Sequence, residues 1–326
     1  MGKQILITGA FGQLGESTLL ELQPYFEIIA SGKKIPKITN YPCKYVELDI
    51  TSKNNVRKIV ETYSPEIVVH LAAITNVDLC ESNKELAWNN NVKATENILD
   101  SIRGTKCKII FISTDYVFDG FSGPYSENDQ PNPINYYGKT KLAAENIIRG
   151  SGQPWVIIRT NVLYGNSFIN KASFVKWVTD SLSQKKKISV VDDQFGNPTW
   201  TGALSEAIKL SMIMNVNEIL NYGGSEFISR FEFAQKIAKI FGLNSSLSNF
   251  LAYSIPLSMV LLFSAISSII PDDKASLAGT CLPVSIISKA ISTPHNLGSL
   301  CVPPAPGRIP SKTSGNPTLV LGAAIL

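Results

Sequence analysis

Histidine is nearly missing from this chain, which has only His70 and His295 among 326 residues. The five cysteines (Cys43, Cys80, Cys107, Cys281 and Cys301) show no paired spacing, so neither a disulfide framework nor a zinc site is supported and no metal is expected. Strong charge is missing as well. A formal net charge of +4, dispersed along the chain, does not suggest a nucleic-acid partner, and the one basic run, Lys185-Lys186-Lys187, reads as a solvated helix end. Met1 to Gln4 is too short to hold the charged region and apolar core of a signal peptide, which makes a cytoplasmic location the expectation.

From about residue 245 onward charge almost disappears, leaving Asp272, Asp273, Lys274, Lys289, Arg308 and Lys312, with no glutamate and no periodicity. Phe250 to Ile270 is an uncharged stretch long enough to cross a bilayer, but Pro256 and the serines at 254, 258, 264, 267 and 268 count against a span. We therefore read residues 245–326 as an atypical tail, out of frame or disordered, that stands in place of a native end.

What is present is concentrated in two motifs. The first opens the chain: the apolar run Ile5-Leu6-Ile7 breaks into Thr8-Gly9-Ala10-Phe11-Gly12-Gln13-Leu14-Gly15 and then into Ser17-Thr18-Leu19-Leu20-Glu21-Leu22. Physically this is a buried strand, a tight turn and a helix. Glycines at 9, 12 and 15 let the turn close, let backbone approach a diphosphate, and let the helix pack on the strand, while the helix N-terminus offers N–H groups to an anion. A second strand, Glu27 to Ser31, ends where an acid would bond an adenosine ribose and favour NAD. This chain has Ser31-Gly32-Lys33-Lys34 there, so NADP(H) is favoured and NAD(H) is allowed.

The second motif is Tyr136-Tyr137-Gly138-Lys139-Thr140-Lys141-Leu142-Ala143-Ala144-Glu145. On a helix Tyr137 and Lys141 share a face. An ammonium beside a phenol favours phenolate, which predicts a Tyr137 pKa lowered toward the working pH and fit to move a proton at a carbonyl oxygen. Between the motifs, the buried run Lys108 to Ile112 ends in Ser113-Thr114-Asp115-Tyr116-Val117-Phe118-Asp119-Gly120, where a doubly wound sheet carries its chemistry. The polar stretch from Gly120 to Asn135 is a segment suited to cover a substrate. His70 reads as a core or strand-end residue rather than a catalyst.

In order, spacing and type these residues resemble the extended short-chain dehydrogenase/reductase superfamily and, within it, the dTDP-4-dehydrorhamnose reductase-like group, over about residues 3–243. The resemblance implies that Gly9, Phe11, Gly12, Gln13, Leu14, Gly15, Ser31, Asp49, Ile50, Leu71, Ala72 and Ala73 hold the cofactor, Asp49 at the adenine and Leu71 to Ala73 at the diphosphate and ribose. It implies that Thr114 bonds a substrate keto oxygen, that Tyr137 supplies the proton, and that Lys141 holds the nicotinamide ribose. Asp115, Asn161 and Val162 would meet the substrate, a nucleotide-linked 4-keto-6-deoxy sugar, and a homodimer is a further expectation. Nucleotide-sugar dehydratases carry Asp-Glu after the threonine, whereas Asp115 is followed here by Tyr116, which favours simple carbonyl reduction. After Arg159-Thr160 the rhamnose-forming reductases are expected to carry Ser-Trp, and Asn161-Val162 leaves the sugar unnamed. The alternatives are a nucleotide-sugar epimerase and a non-catalytic subunit resembling the regulatory partner of methionine adenosyltransferase.

The expected fold is α/β, a Rossmann-type doubly wound parallel sheet with a smaller substrate-binding region in the C-terminal half. Residues 1–165 would form the NAD(P)-binding domain, with 201–222 returning to it, and 166–200 with 223–244 would form the substrate-binding region. One long helical stretch is expected from Asn76 to Asn97, and a helix capped by Ser229 and Glu232 from Ser229 to Phe241.

Overall fold

The computed structural model describes residues 3–37, 41–167, 173–214 and 217–245, and the backbone of 248–251. All of these fall within the compact unit Met1–Tyr253. In chain order the first half comprises β1 (Gln4–Thr8), α1 (Gln13–Leu22), β2 (Glu27–Gly32), β3 (Lys44–Glu47), α2 (Lys53–Tyr63), β4 (Ile67–His70), α3 (Val77–Ser82), α4 (Lys84–Trp88), α5 (Ala94–Ile102), β5 (Lys108–Thr114) and α6 (Tyr136–Arg149). The second half comprises β6 (Trp155–Thr160), β7 (Leu163–Tyr164), α7 (Phe174–Ser183), β8 (Ile188–Val191), β9 (Phe195–Gly196), β10 (Thr199–Trp200), α8 (Thr201–Met212), β11 (Glu218–Tyr222), β12 (Ile228–Ser229), α9 (Arg230–Ile240) and β13 (Ser248–Leu251).

Seven strands form the central sheet in the order β11-β6-β5-β4-β1-β2-β3, and every pairing is parallel. The doubly wound expectation holds. Alternate residues of each strand enter opposite hydrophobic layers. Leu6, Ile29, Val68, Ile109, Phe111 and Ile157 pack toward α2, α5 and α6, while Ile5, Ile7, Ile28, Val69, Ile110 and Ile158 pack toward α1 and α8. Burial on both faces is why these strands read as unbroken apolar runs. Each fully buried Leu or Ile contributes about 1.5–3 kcal/mol against roughly 0–1 kcal/mol for an exposed ion pair, so the scaffold rests on these two layers rather than on its surface charges.

A smaller core of Val178, Leu182, Ile188, Val190, Phe233, Ala234, Ile237 and Ala238 joins α7, β8 and α9. The cap of α9 forms as the sequence suggests: Ser229 Oγ accepts from Glu232 N at 3.0 Å and the Glu232 carboxylate accepts from Ser229 N at 2.8 Å.

Two expectations are corrected. The helix expected from 76 to 97 is broken. Asn76 and Asn83 cap two short helices through Leu79 N and Leu86 N, and a π-helical turn at Asn89–Lys93 inserts an extra residue before α5. The turn delivers Asn91 inward, where its side chain accepts from Ile74 N and donates to Ile74 O and Thr140 Oγ1. The ordered chain also runs beyond 245, because the backbone of 248–251 pairs in parallel with β8. Apart from these few positions the tail and the Phe250–Ile270 stretch lie outside the described residues. No helix among the described residues is long and apolar enough to cross a membrane.

Candidate active site

The cradle at the end of β1 is made mostly of backbone. Gly9 has φ +69°, and a Cβ there would lie 2.7 Å from Ala72 N and 2.8 Å from Ala72 Cα, so no side chain fits between the β1 and β4 ends. A Cβ on Gly15 would strike the Gly9 carbonyl oxygen and lie 2.5 Å from the Ala10 carbonyl carbon, which is why α1 can sit this close to the turn. Gly12 is the N-cap of α1 and brings no side-chain cap to the helix start. An anion-binding helix N-terminus next to close backbone approaches is the arrangement a dinucleotide diphosphate needs, so these residues fit such a group.

Around the cradle the other expected residues take distinct places. Phe11 covers Gly32 and stacks on Tyr45 with ring centres 6.2 Å apart. Gln13 Nε2 donates to Gly165 O at 3.3 Å, while Leu14 is buried in the core. Ser31 turns inward and donates to Ile7 O at 2.9 Å, and its own carbonyl accepts from Ala10 N. Asp49 accepts from Thr51 and pairs with Lys33 at 3.3 Å, and these partners, Thr51 first, hold its carboxyl below the usual carboxylate range. Ile50 is buried and its carbonyl accepts from Asn97 Nδ2. Leu71 N donates to Thr8 O and Ala72 N to Thr8 Oγ1, which draws Leu71, Ala72 and Ala73 along the rim of the turn.

His70 explains part of that order. Thr95 Oγ1 donates to Asn91 O, so it accepts from His70 Nε2 at 3.1 Å, leaving Nδ1 to accept from Thr8 Oγ1 at 2.7 Å. Burial, aided by the nearby Lys141 ammonium, pushes the imidazole down to about 3, so it is neutral and serves as a brace. The strand-end reading of His70 agrees with this geometry.

Thr114 ends β5. Its hydroxyl accepts from Tyr116 N at 3.2 Å and donates to Asp115 Oδ1 at 2.9 Å. Tyr137 and Lys141 lie one turn apart on α6, whose N-cap Asn135 accepts from Gly138 N at 2.7 Å. Tyr137 is buried and meets Tyr116 edge-on at 6.1 Å, and the Lys141 ammonium sits 3.8 Å from the centre of the Phe111 ring. The electrostatic expectation for Tyr137 is overturned. Burial first and the Asp115 carboxylate second push its phenol above the ordinary range, with only the interaction with Thr114 opposing them. The group is therefore a neutral phenol, the form that gives up a proton to a developing alkoxide. Lys141 is itself pushed down to about 7 by burial, with Glu145 pulling it back up.

Asp115 is buried with a raised pKa, chiefly from desolvation, and accepts from Asn161 Nδ2 at 3.0 Å. Asn161 Oδ1, Asn197 Oδ1 and Thr160 Oγ1 are buried without a protein partner among the described residues. Val162 departs from this group and packs against the smaller hydrophobic core. Sequence reasoning missed Asn197, because a single asparagine in a polar loop carries no spacing signal. It also missed Arg230, whose charge acts on Asp115 from the start of α9.

Fold and site together define a doubly wound α/β protein of the Rossmann type with its polar groups gathered at the carboxyl ends of the parallel strands. The chain belongs to the family described as RmlD substrate binding domain, whose model matches residues 3–256, past the boundary near 243. It is 35% identical over 247 residues to the spore coat polysaccharide biosynthesis protein SpsK of Bacillus subtilis (strain 168), covering 75% of this chain and 81% of that one. It is 30% identical over 252 residues to methionine adenosyltransferase 2 subunit beta of Xenopus tropicalis, covering 75% and 74%. Among solved structures it resembles a dTDP-4-dehydrorhamnose reductase from Bacillus anthracis str. Ames in complex with NADP, with a TM-score of 0.69, 32% identity, and coverage of 79% of this chain and 86% of that one.

Proposed function

We propose that this protein is an NAD(P)H-dependent reductase of a keto group on a nucleotide-linked 4-keto-6-deoxy sugar. The observation that carries the reading is the buried phenol of Tyr137, one helical turn from Lys141 and interacting with Thr114 at the end of β5, in the same parallel sheet whose β1 ends in the glycine cradle. Its support is the family, the reductase named among its structural relatives, and the polysaccharide-biosynthesis relative.

The hydride would come from a reduced nicotinamide when one is bound in the cradle. Gly9, Gly12 and Gly15 with the α1 N-terminus would hold its diphosphate, and Leu71 to Ala73 would line its path. NADP(H) is preferred and NAD(H) accepted. The preference rests on Lys33 and Lys34 at the end of β2, and Lys33 is shared there with Asp49. Thr114 orients the keto oxygen by a hydrogen bond, and Tyr137 transfers its phenolic proton to that oxygen as the carbonyl carbon becomes tetrahedral. Lys141 would hold the nicotinamide ribose and, as a cation, stabilises the phenolate left behind. Asp115, Asn161 and Asn197 bond the sugar hydroxyls.

The test is NADPH and NADH oxidation by purified protein with dTDP-4-keto-6-deoxy sugars. Tyr137→Phe should lose about 10²–10⁴ in rate while keeping cofactor affinity, and equal turnover by both proteins would refute the assignment. One observation favours a second reading as a regulatory subunit, the 30% identity to the methionine adenosyltransferase subunit. In that case wild type would bind the dinucleotide without consuming it.

A further inference from the structure

Helix α6 carries ionisable side chains at four-residue steps, Tyr137, Lys141, Glu145 and Arg149, and of these the first three are buried along one face while Arg149 is exposed. The proposed reaction uses the first two. Glu145 is fully buried and is gripped by Arg159, with Nε donating to Oε1 at 3.0 Å and Nη2 to Oε2 at 2.7 Å, while Ser113 Oγ donates to Oε1 at 2.5 Å. Ser113 immediately precedes Thr114 on β5, and Arg159 immediately precedes Thr160 on β6. One carboxylate thus ties the helix bearing Tyr137 and Lys141 to the ends of the two strands that bound the carbonyl site. A buried ion pair adds little net stability over an apolar replacement of equal size. What it does provide is a fixed negative charge one helical turn from Lys141.

We propose that Glu145 is a positioning residue that keeps the Lys141 ammonium charged and fixes the Tyr137–Lys141 face toward Thr114, with Arg159 and Ser113 holding its carboxylate in place. The groups facing Lys141 leave this role to Glu145. From β4 comes His70, held neutral by burial; from β5 comes the uncharged ring of Phe111; from the turn after β5 the Asp115 carboxyl is bonded to Thr114 and Asn161 and acts on Tyr137; from α6 itself come the Tyr137 phenol and Glu145; and from β6 the Arg159 guanidinium is spent on Glu145. Against the burial that pushes Lys141 down to about 7, Glu145 is the opposing influence. The meaning of Lys141 for catalysis rests on the proposed reductase activity, whereas its protonation can be read without it.

The experiment follows the Lys141 resonance by NMR of the full chain carrying ε-¹³C-lysine, assigned with Lys141→Arg. Glu145→Gln should lower the Lys141 titration midpoint by about one pH unit or more, and Glu145→Asp should lie between the two. Because Glu145→Gln strands a buried guanidinium, the double variant Glu145→Gln/Arg159→Met, which removes both charges at similar volume, should fold and shift the midpoint in the same direction. If sugar reduction is observed, its alkaline limb should move to lower pH with the midpoint while the sugar KM stays fixed. An unchanged or raised Lys141 midpoint in the double variant overturns the proposal. A lowered midpoint in a protein that reduces no sugar upholds it and refutes the reductase reading instead.

Discussion

The two halves of the site are built from different material. The proposed dinucleotide cradle at the ends of β1 and β4 is backbone: Gly9 and Gly15 sit where any side chain would strike neighbouring backbone. The proposed sugar-facing half, at the ends of β5 and β6 and in the turn between β9 and β10, is side chain: Thr114, Asp115, Asn161 and Asn197, the two asparagines each with a buried oxygen that has no protein partner among the described residues. A backbone cradle tolerates almost no substitution and selects a ligand by shape. A side-chain pocket can be retuned residue by residue, and it is where this chain departs from the Ser-Trp expected after Arg159-Thr160.

The largest break in that comparison comes from the cradle. Gly15→Val sets a branched side chain against the Gly9 and Ala10 carbonyls, and overpacking here has no flexible neighbour to yield. Titration by dinucleotide fluorescence should show affinity reduced by about 10²-fold or more, by analogy with other losses of close helix–phosphate approach. Near-normal binding would mean that the cradle is not the cofactor site.

A smaller, graded effect is expected on the other side. Asn161→Ala removes the amide that donates to the buried Asp115 carboxylate. It should raise the sugar KM about tenfold, the loss of one hydrogen bond to a charged group, and leave dinucleotide affinity unchanged. If both constants move together, the two halves are one cooperative unit and the distinction drawn between them fails.

The same contrast explains what could be read from the sequence. The glycine turn was legible because backbone geometry restricts residue type at fixed spacing, and Tyr137 with Lys141 because helical period places them on one face. The parallel sheet was legible from runs such as Ile109 to Phe111, which are buried on both faces. The Glu145–Arg159–Ser113 cluster was not, because its members come from α6, β6 and β5 and meet only through the order of strands. The direction of the Tyr137 shift was misjudged for a related reason. Spacing revealed Lys141 but not the depth of burial or the Asp115 carboxylate, and those two decide the sign. The π-helical turn at Asn89–Lys93 was hidden because apolar periodicity does not report an inserted residue whose role is to aim Asn91 at Ile74 and Thr140.

The central claim is that hydride leaves a bound nicotinamide and stays on the sugar. The most direct measurement supplies NADPH or NADH deuterated at the transferable position of the nicotinamide and examines the sugar product by mass spectrometry and NMR. We expect one deuterium per molecule, located on the carbon that carried the keto group, with one cofactor oxidised for each sugar reduced. An unlabelled sugar of altered stereochemistry with no net cofactor oxidation would contradict the reductase assignment and point to epimerisation. No sugar chemistry from a protein that binds dinucleotide normally would contradict it in favour of a regulatory role.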